Sequence, residues 1–184
     1  MSESAARIVL NGTTFDREFV PDRLTARDRQ VELLESCLEP ARNGRKPTHV
    51  WLHGRPGTGK TVTAMAVLAR LKQDAGVPFV VVNCWQRNSL YEILDHIVTE
   101  LKIFRAEEHR TSVKLQRLQR HLGNRCIVIL LDEIDKLPPA ERSSILYSLD
   151  AVGNTGLVCV SNDLESLQEV GKRPVNPVFR PRGV

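Results

Sequence analysis

The sequence predicts a three-layer α/β/α fold built on a parallel sheet. Three observations carry that reading. Short β-branched runs alternate with helical patterns, a glycine-rich loop joins the first such run to a helix, and a later apolar run ends abruptly in two carboxylates. Alternation of this kind puts helices on both faces of a sheet whose strands run the same way. At 184 residues, one domain with a core of its own is the expectation.

Residues 1–20 read as an irregular arm, 21–170 as the folded core and 171–184 as an irregular basic tail. Thr25-Ala26-Arg27-Asp28 has the composition of a capping box, and Val31, Leu34 and Leu38 follow at helical spacing, with Pro40 expected to end the helix. A polar connector, 41–47, leads to a first strand over 49–52. The helix after the glycine-rich loop starts at Thr61 and stops at Gly76. The β-branched run 79–82 predicts a second strand buried on both faces. Ser89 and Glu92 cap the next helix, which lines Leu90, Ile93, Ile97 and Leu101 along one side. A basic amphipathic helix covers 111–122, with Leu115, Leu118 and Leu122 as its apolar edge and Lys114, Arg117 and His121 as its polar edge. Strand three is 126–131, a helix covers 140–149, and strand four is 156–160. Internal repeats and low-complexity tracts are lacking.

Composition is that of an ordinary water-soluble α/β protein, 41% hydrophobic and 26% charged. The longest unbroken apolar run, 126–131, is far too short for a bilayer, and residues 1–11 lack the apolar segment of a signal peptide. No membrane association is expected; a cytoplasmic, nucleoid-associated location is. Cys37, Cys84, Cys126 and Cys159 are scattered with no C-x-x-C pair, so reduced thiols are expected and a zinc site is not. The formal net charge of +4 mildly favours polyanion partners. Arg173, Arg180 and Arg182 crowd the end, and 105–125 holds a second basic cluster whose plainer reading is a solvated helix face.

The chemistry is carried by Gly54-Arg55-Pro56-Gly57-Thr58-Gly59-Lys60-Thr61, which fits G-x-x-x-x-G-K-[ST] at every fixed position between a strand and a helix. Such a loop aims backbone amides at phosphate oxygens at the positive end of the following helix. Lys60 can reach the β- and γ-phosphates, and the Thr61 hydroxyl can ligate Mg²⁺. Nucleoside triphosphate binding follows, with ATP and ADP as the expected ligands. Strand three delivers Asp132 and Glu133 at its carboxyl end. Asp132 is expected to hold Mg²⁺, mostly through water, and Glu133 to act as general base. Asn162, at the tip of strand four, can orient the attacking water or touch the γ-phosphate. His53 reads as a packing residue, and Trp51 as core.

Taken jointly, these residues resemble the AAA+ replication initiators, the archaeal and eukaryotic proteins of origin-recognition and cell-division-control type. The pieces that match are Phe19-Val20-Pro21 with Leu24 and Arg27, Lys46-Pro47-Thr48, Val82-Asn83-Cys84, Leu131-Asp132-Glu133-Ile134-Asp135-Lys136-Leu137, Leu146-Tyr147 with Leu149, and Ser161-Asn162-Asp163-Leu164. The resemblance covers about residues 15–165. It implies a P-loop core of AAA+ type with strand order 5-1-4-3-2, slow Mg²⁺-dependent ATP hydrolysis used as a switch, and Asn162 as sensor 1. It also implies an adenine site lined by Pro21 and Arg27, duplex DNA as a partner, and a neighbouring AAA+ subunit or paralogue. The pattern departs from the family after Asn162. The arginine segment is expected to shrink to Gly171-Lys172-Arg173-Pro174, strand five to a vestige near 177–181, and the helical lid and winged helix to be absent from these residues. Weak DNA binding and slow turnover are then expected, with Arg173 a lesser candidate for an arginine finger. Two alternatives stand beside this reading: a non-catalytic nucleotide-binding regulator of an intact paralogue, and a transposition-helper or signalling ATPase.

Overall fold

The structure is a computed structural model; it describes residues 28–103 and 110–163, and the backbone of 176–179. In chain order the elements are α1 Asp28–Arg42, β1 Val50–His53, α2 Lys60–Ala75, β2 Phe79–Asn83, α3 Leu90–Glu100, α4 Thr111–Leu122, β3 Cys126–Asp132, a 3-10 turn Ile134–Lys136, α5 Pro139–Asp150, β4 Asn154–Ser161 and β5 Asn176–Phe179. The strands form one sheet in the order β2-β3-β4-β1-β5, every pair parallel. This is the expected 5-1-4-3-2 order read from the other edge. The fifth strand is formed, four residues long, against β1. Its register shifts between Trp51 and Leu52, beside Pro177. Proline has no N–H to give a ladder, so an edge strand with an irregularity is where it fits.

The side-chain period of two divides the core between the two sheet faces. Ile127, Ile129 and Leu131 of β3 meet Ile93 and Ile97 of α3, Leu118 of α4 and Leu149 of α5. Val128 and Leu130 join Leu34 and Leu38 of α1 and Val67 and Leu68 of α2 on the other side. Each fully buried Leu or Ile contributes about 2 kcal/mol of transfer free energy. The inner strand β3 is buried from Cys126 through Leu131. β2 departs from the expected full burial: Val80 and Val82 are buried, whereas Phe79, Val81 and Asn83 are half-buried. Its place at the sheet edge leaves one flank uncovered.

Two further expectations are corrected. α1 runs through Pro40 to Arg42. The missing N–H costs one bond near the helix end, and the Pro40 carbonyl is taken up by Asn43 N–H at 3.1 Å and Arg45 N–H at 3.0 Å. The capping residue Thr25 lies outside the described residues. Lys114, assigned to the polar edge of α4, is instead buried. Its Nζ bonds the Asp95 carboxylate of α3 and lies 3.7 Å from the centroid of the Tyr91 ring. The charge thus gains a carboxylate and a π face, and the helix pair gains a polar cross-link. The cap of α3 forms as read, with Ser89 Oγ accepting from Glu92 N–H at 3.3 Å and Glu92 Oε2 accepting from Asn88 N–H at 3.0 Å.

No helix among the described residues is long and apolar enough to cross a membrane. All four cysteines are free. Burial pushes the Cys84 thiol up to about 12, helped by the nearby carboxylates of Asp132, Asp135 and Glu133, and the Cys126 thiol up to about 11. These are inert core thiols at neutral pH.

Candidate nucleotide-binding site

The carboxyl ends of β1, β3 and β4 converge, as ligand sites of open α/β sheets do. The loop from β1 to α2 carries Gly54 through Gly59, and α2 opens directly on Lys60 and Thr61. Its N-cap, Gly59, holds φ 77 and ψ 21, a left-handed backbone that L side chains adopt at a cost. Thr58 Oγ1 donates to Arg55 O at 2.8 Å, and Thr63 Oγ1 to Gly59 O at 2.8 Å.

Lys60 sits at the centre. Its Nζ donates to Gly54 O at 2.7 Å, Arg55 O at 3.0 Å and Asn162 Oδ1 at 3.1 Å. The loop therefore wraps around its own lysine, and the tip of β4 closes the ring. Thr61 Oγ1 donates to Asp132 Oδ1 at 3.0 Å, which also accepts from Glu133 N–H at 3.0 Å. Burial raises the Asp132 carboxyl above its ordinary range; the bonds from Thr61 and Glu133 N–H and the charge of Lys60 oppose this without cancelling it. A cavity of about 400 Å³ lies between loop and strand tips, lined by Lys60, Thr61, Asp132, Glu133 and Asn162 among others.

Glu133 leaves β3 with φ 55, one of two non-glycine residues with positive φ among those described. That backbone costs an L residue about 1 kcal/mol and turns the side chain out of the strand direction. Its Oε2 accepts from Asn83 Nδ2 at 3.2 Å. The other end of the Asn83 amide, Oδ1, accepts from Trp85 N–H at 3.0 Å and Gln86 N–H at 3.1 Å, so two backbone donors fix which way the amide faces. The tip of β4 is tied on both flanks. Asn162 N–H donates to Asp135 Oδ1 at 3.2 Å; Ser161 Oγ donates to Asp163 O at 2.6 Å and accepts from Trp51 Nε1 at 2.9 Å.

Of the residues singled out in the sequence, Gly54, Arg55, Pro56, Gly57, Thr58, Gly59, Lys60, Thr61, Asp132, Glu133 and Asn162 come to one place. Pro21, Arg27 and Arg173 lie outside the described residues. Asn83, Asp135 and Ser161 stand in the segments that carry the resemblance, which assigns them no role there; with Trp51 they carry further polar contacts of the site. Asn83 had a signal, a polar residue ending a β-branched run beside the strand that bears the carboxylates. Trp51 is core, as read, yet its ring nitrogen reaches the site's edge.

The donor set fits a hard divalent cation: a partly buried, under-compensated carboxylate and a hydroxyl 3.0 Å apart. It also fits a polyphosphate, since Lys60 now spends its hydrogen bonds on loop carbonyls and one amide oxygen.

An AAA domain family model matches residues 42–161, well over half of the chain. ORC1-type DNA replication protein 9 of Halobacterium salinarum is 34% identical over 154 residues, covering 81% of this chain and 42% of the relative. The ORC1-type DNA replication protein of Pyrococcus horikoshii is 28% identical over 185 residues, covering 88% and 43%. The chain thus spans about half the length of the curated relatives it matches. Among solved structures, Cdc6p of Pyrobaculum aerophilum aligns with a TM-score of 0.72 at 27% identity, over 89% of this chain and 48% of that one. The Aeropyrum pernix ORC1 protein, solved in complex with DNA, aligns with a TM-score of 0.73 at 28% identity, over 86% and 44%. The chain belongs to the AAA domain family, and the relatives it matches there are replication proteins of the ORC1 and Cdc6 type.

Proposed function

We propose that this chain is the ATP-binding and ATP-hydrolysing module of a replication initiator, working as a slow nucleotide switch that changes its affinity for duplex DNA and for a neighbouring AAA+ subunit. The observation that carries the reading is the convergence of Lys60 with Asn162 and of Thr61 with Asp132 around one cavity. The proposal for DNA leans on the ORC1 relative solved on DNA.

In this reading Lys60 exchanges its loop carbonyls for β- and γ-phosphate oxygens, and the amides of residues 55–61 face the anion. Thr61 and Asp132 would hold Mg²⁺, which would supply charge neutralisation at the phosphate oxygens. Asn162 fixes the reacting end of the nucleotide from the β4 side. Glu133 takes the proton of the attacking water, with its carboxylate held ready by Asn83 Nδ2. Most of the catalytic effect is positioning and electrostatic, because phosphoryl transfer asks little covalent chemistry of the protein.

The test combines titration with a fluorescent ATP analogue and measurement of phosphate release. Lys60→Ala is expected to weaken binding about 100-fold, the scale of losing hydrogen bonds to a charged partner. Glu133→Gln is expected to bind within a few-fold of the parent and to hydrolyse at least about 100-fold more slowly. Unchanged affinity in Lys60→Ala sinks the nucleotide site, and undiminished phosphate release in Glu133→Gln moves the base elsewhere.

A further inference from the structure

Asn162 reaches Lys60 with its side chain, but its own backbone is held from the neighbouring strand's exit. Asp135 lies in the 3-10 turn after β3, with its side chain 4% exposed. One carboxylate oxygen accepts Asn162 N–H at 3.2 Å, and the other pairs with Lys136 Nζ at 3.1 Å. The turn that carries Asp135 is itself fastened from α5. Arg142 is buried, and its guanidinium donates from Nε to Ile134 O at 3.2 Å and from Nη2 to Leu137 O at 2.9 Å and Asp135 O at 3.4 Å. On the opposite flank, Trp51 Nε1 holds Ser161 Oγ, which holds Asp163 O. The backbone on either side of Asn162 is thus fixed, by Asp135 at its N–H and by Ser161 at the carbonyl that follows.

We infer that Asp135 is a positioning residue for Asn162: its carboxylate, anchored through the Arg142-braced turn, sets where the Asn162 amide stands over the nucleotide. The inference rests on the ATPase reading of this cavity. Its physical ground is the steepness of positioning. A group displaced by about 1 Å from its productive place costs on the order of 100-fold in rate. A carboxylate accepting a backbone N–H is a strong and directional restraint for such a task. A merely structural tie would hold the turn equally well from any backbone N–H of the β4 exit; this one takes the N–H of the residue whose side chain enters the site.

The experiment compares Asp135→Ala, Asp135→Asn, Asn162→Ala and the double variant Asp135→Ala/Asn162→Ala with the parent. Four readouts are taken: affinity for a fluorescent ATP analogue, single-turnover phosphate release, the thermal midpoint, and hydrogen exchange of the Asn162 backbone amide followed by NMR. Asp135→Ala is expected to bind nucleotide within about threefold of the parent and to release phosphate about 10- to 100-fold more slowly. Asp135→Asn keeps an acceptor oxygen and should recover most of the rate. The double variant should be no slower than Asn162→Ala alone, because both changes remove one function. Parent-like turnover in Asp135→Ala overturns the inference, and so do multiplied effects in the double variant. Joint loss of affinity and thermal stability in both Asp135 variants also overturns it, since the residue then only builds the turn. A parent that releases no phosphate overturns the ATPase reading instead. The exchange readout then decides the positioning alone: faster exchange at Asn162 in Asp135→Ala, restored in Asp135→Asn, upholds it, and unchanged exchange ends it.

Discussion

Two aspartates at opposite ends of the sheet make the most instructive pair in the molecule. Asp132, at the carboxyl end of β3, is pushed above the ordinary carboxylate range by burial that its neighbours do not fully offset. Asp150, at the end of α5 beside the start of β1, also loses water, but Lys46 and His49 outweigh that loss and hold its carboxyl at about 2. Lys46 Nζ meets Asp150 Oδ1 at 2.5 Å and Asp150 O at 2.8 Å, and His49 Nε2 meets Oδ1 at 2.6 Å. His49 Nδ1 accepts from Leu157 N–H at 3.1 Å, so the ring proton sits on Nε2 and the imidazole donates to Asp150. The lower network is closed, each donor matched by an acceptor built into the fold. In the upper one Lys60 bonds the loop carbonyls and the Asn162 amide oxygen, and Asp132 accepts from Thr61 and from Glu133 N–H. At Gly156 the lower end is also tightly packed: a Cβ there would meet Pro47 Cγ at 2.3 Å. The fold fully compensates the lower carboxylate and only partly compensates the upper one.

The comparison breaks first on Asp132. Asp132→Asn is expected to lower Mg²⁺-dependent nucleotide affinity about 10- to 100-fold, the range seen when groups around a metal are altered. It should leave the thermal midpoint unchanged or slightly raised, because a carboxylate disfavoured by burial is gone. Calorimetric titration with and without Mg²⁺, run beside a melting curve, decides both halves; a large loss of stability would place Asp132 among the structural residues. Gly156→Ala presses on the closed end. The added methyl has no room beside Pro47 and should cost about 2 kcal/mol in urea unfolding, with nucleotide affinity intact. Equal stability of variant and parent would show that the Pro47 loop yields freely.

The smallest expected effect is at Asp150. Asp150→Asn should cost about 1 kcal/mol at neutral pH and leave nucleotide affinity alone. The sign with pH follows from a carboxyl whose folded pKa is depressed. Its contribution is complete above the unfolded value near 4 and fades as pH falls towards about 2. The gap between parent and variant should therefore shrink between pH 5 and pH 2.5 in urea unfolding. A gap that stays constant across that range removes the charge on Asp150 from the account.

Much of this was readable from the chain. Period-two and helical patterns place the inner strands within two residues of their observed bounds, because burial on both faces demands unbroken apolar runs such as 126–131. The loop with Lys60 and Thr61, the Asp132–Glu133 pair and Asn162 were readable as one group because each stands at a strand end in a pattern of fixed types and spacing, and the fold brings them to one cavity. What escaped depends on neighbours distant in sequence. Lys114 sits at a position that its own helix presents as polar, and only Asp95 and Tyr91 of α3 make it a buried cation. The half-burial of β2 follows from sheet order, which a local pattern does not contain. Asp135 and Ser161 look like turn residues until the fold brings the exits of β3 and β4 side by side.

The two tryptophans of the chain stand at the two edges of this site. Trp51 is fully buried, with its ring N–H on the Ser161 hydroxyl one residue before Asn162. Trp85 is 67% exposed, with its backbone N–H on the Asn83 amide that also holds Glu133. Their emission is therefore separable by environment, blue and shielded from iodide for the first, red and quenchable for the second. The protein carries its own pair of optical reporters, one listening at Asn162 and the other at Glu133, and no label need be attached to watch each side of the cavity respond.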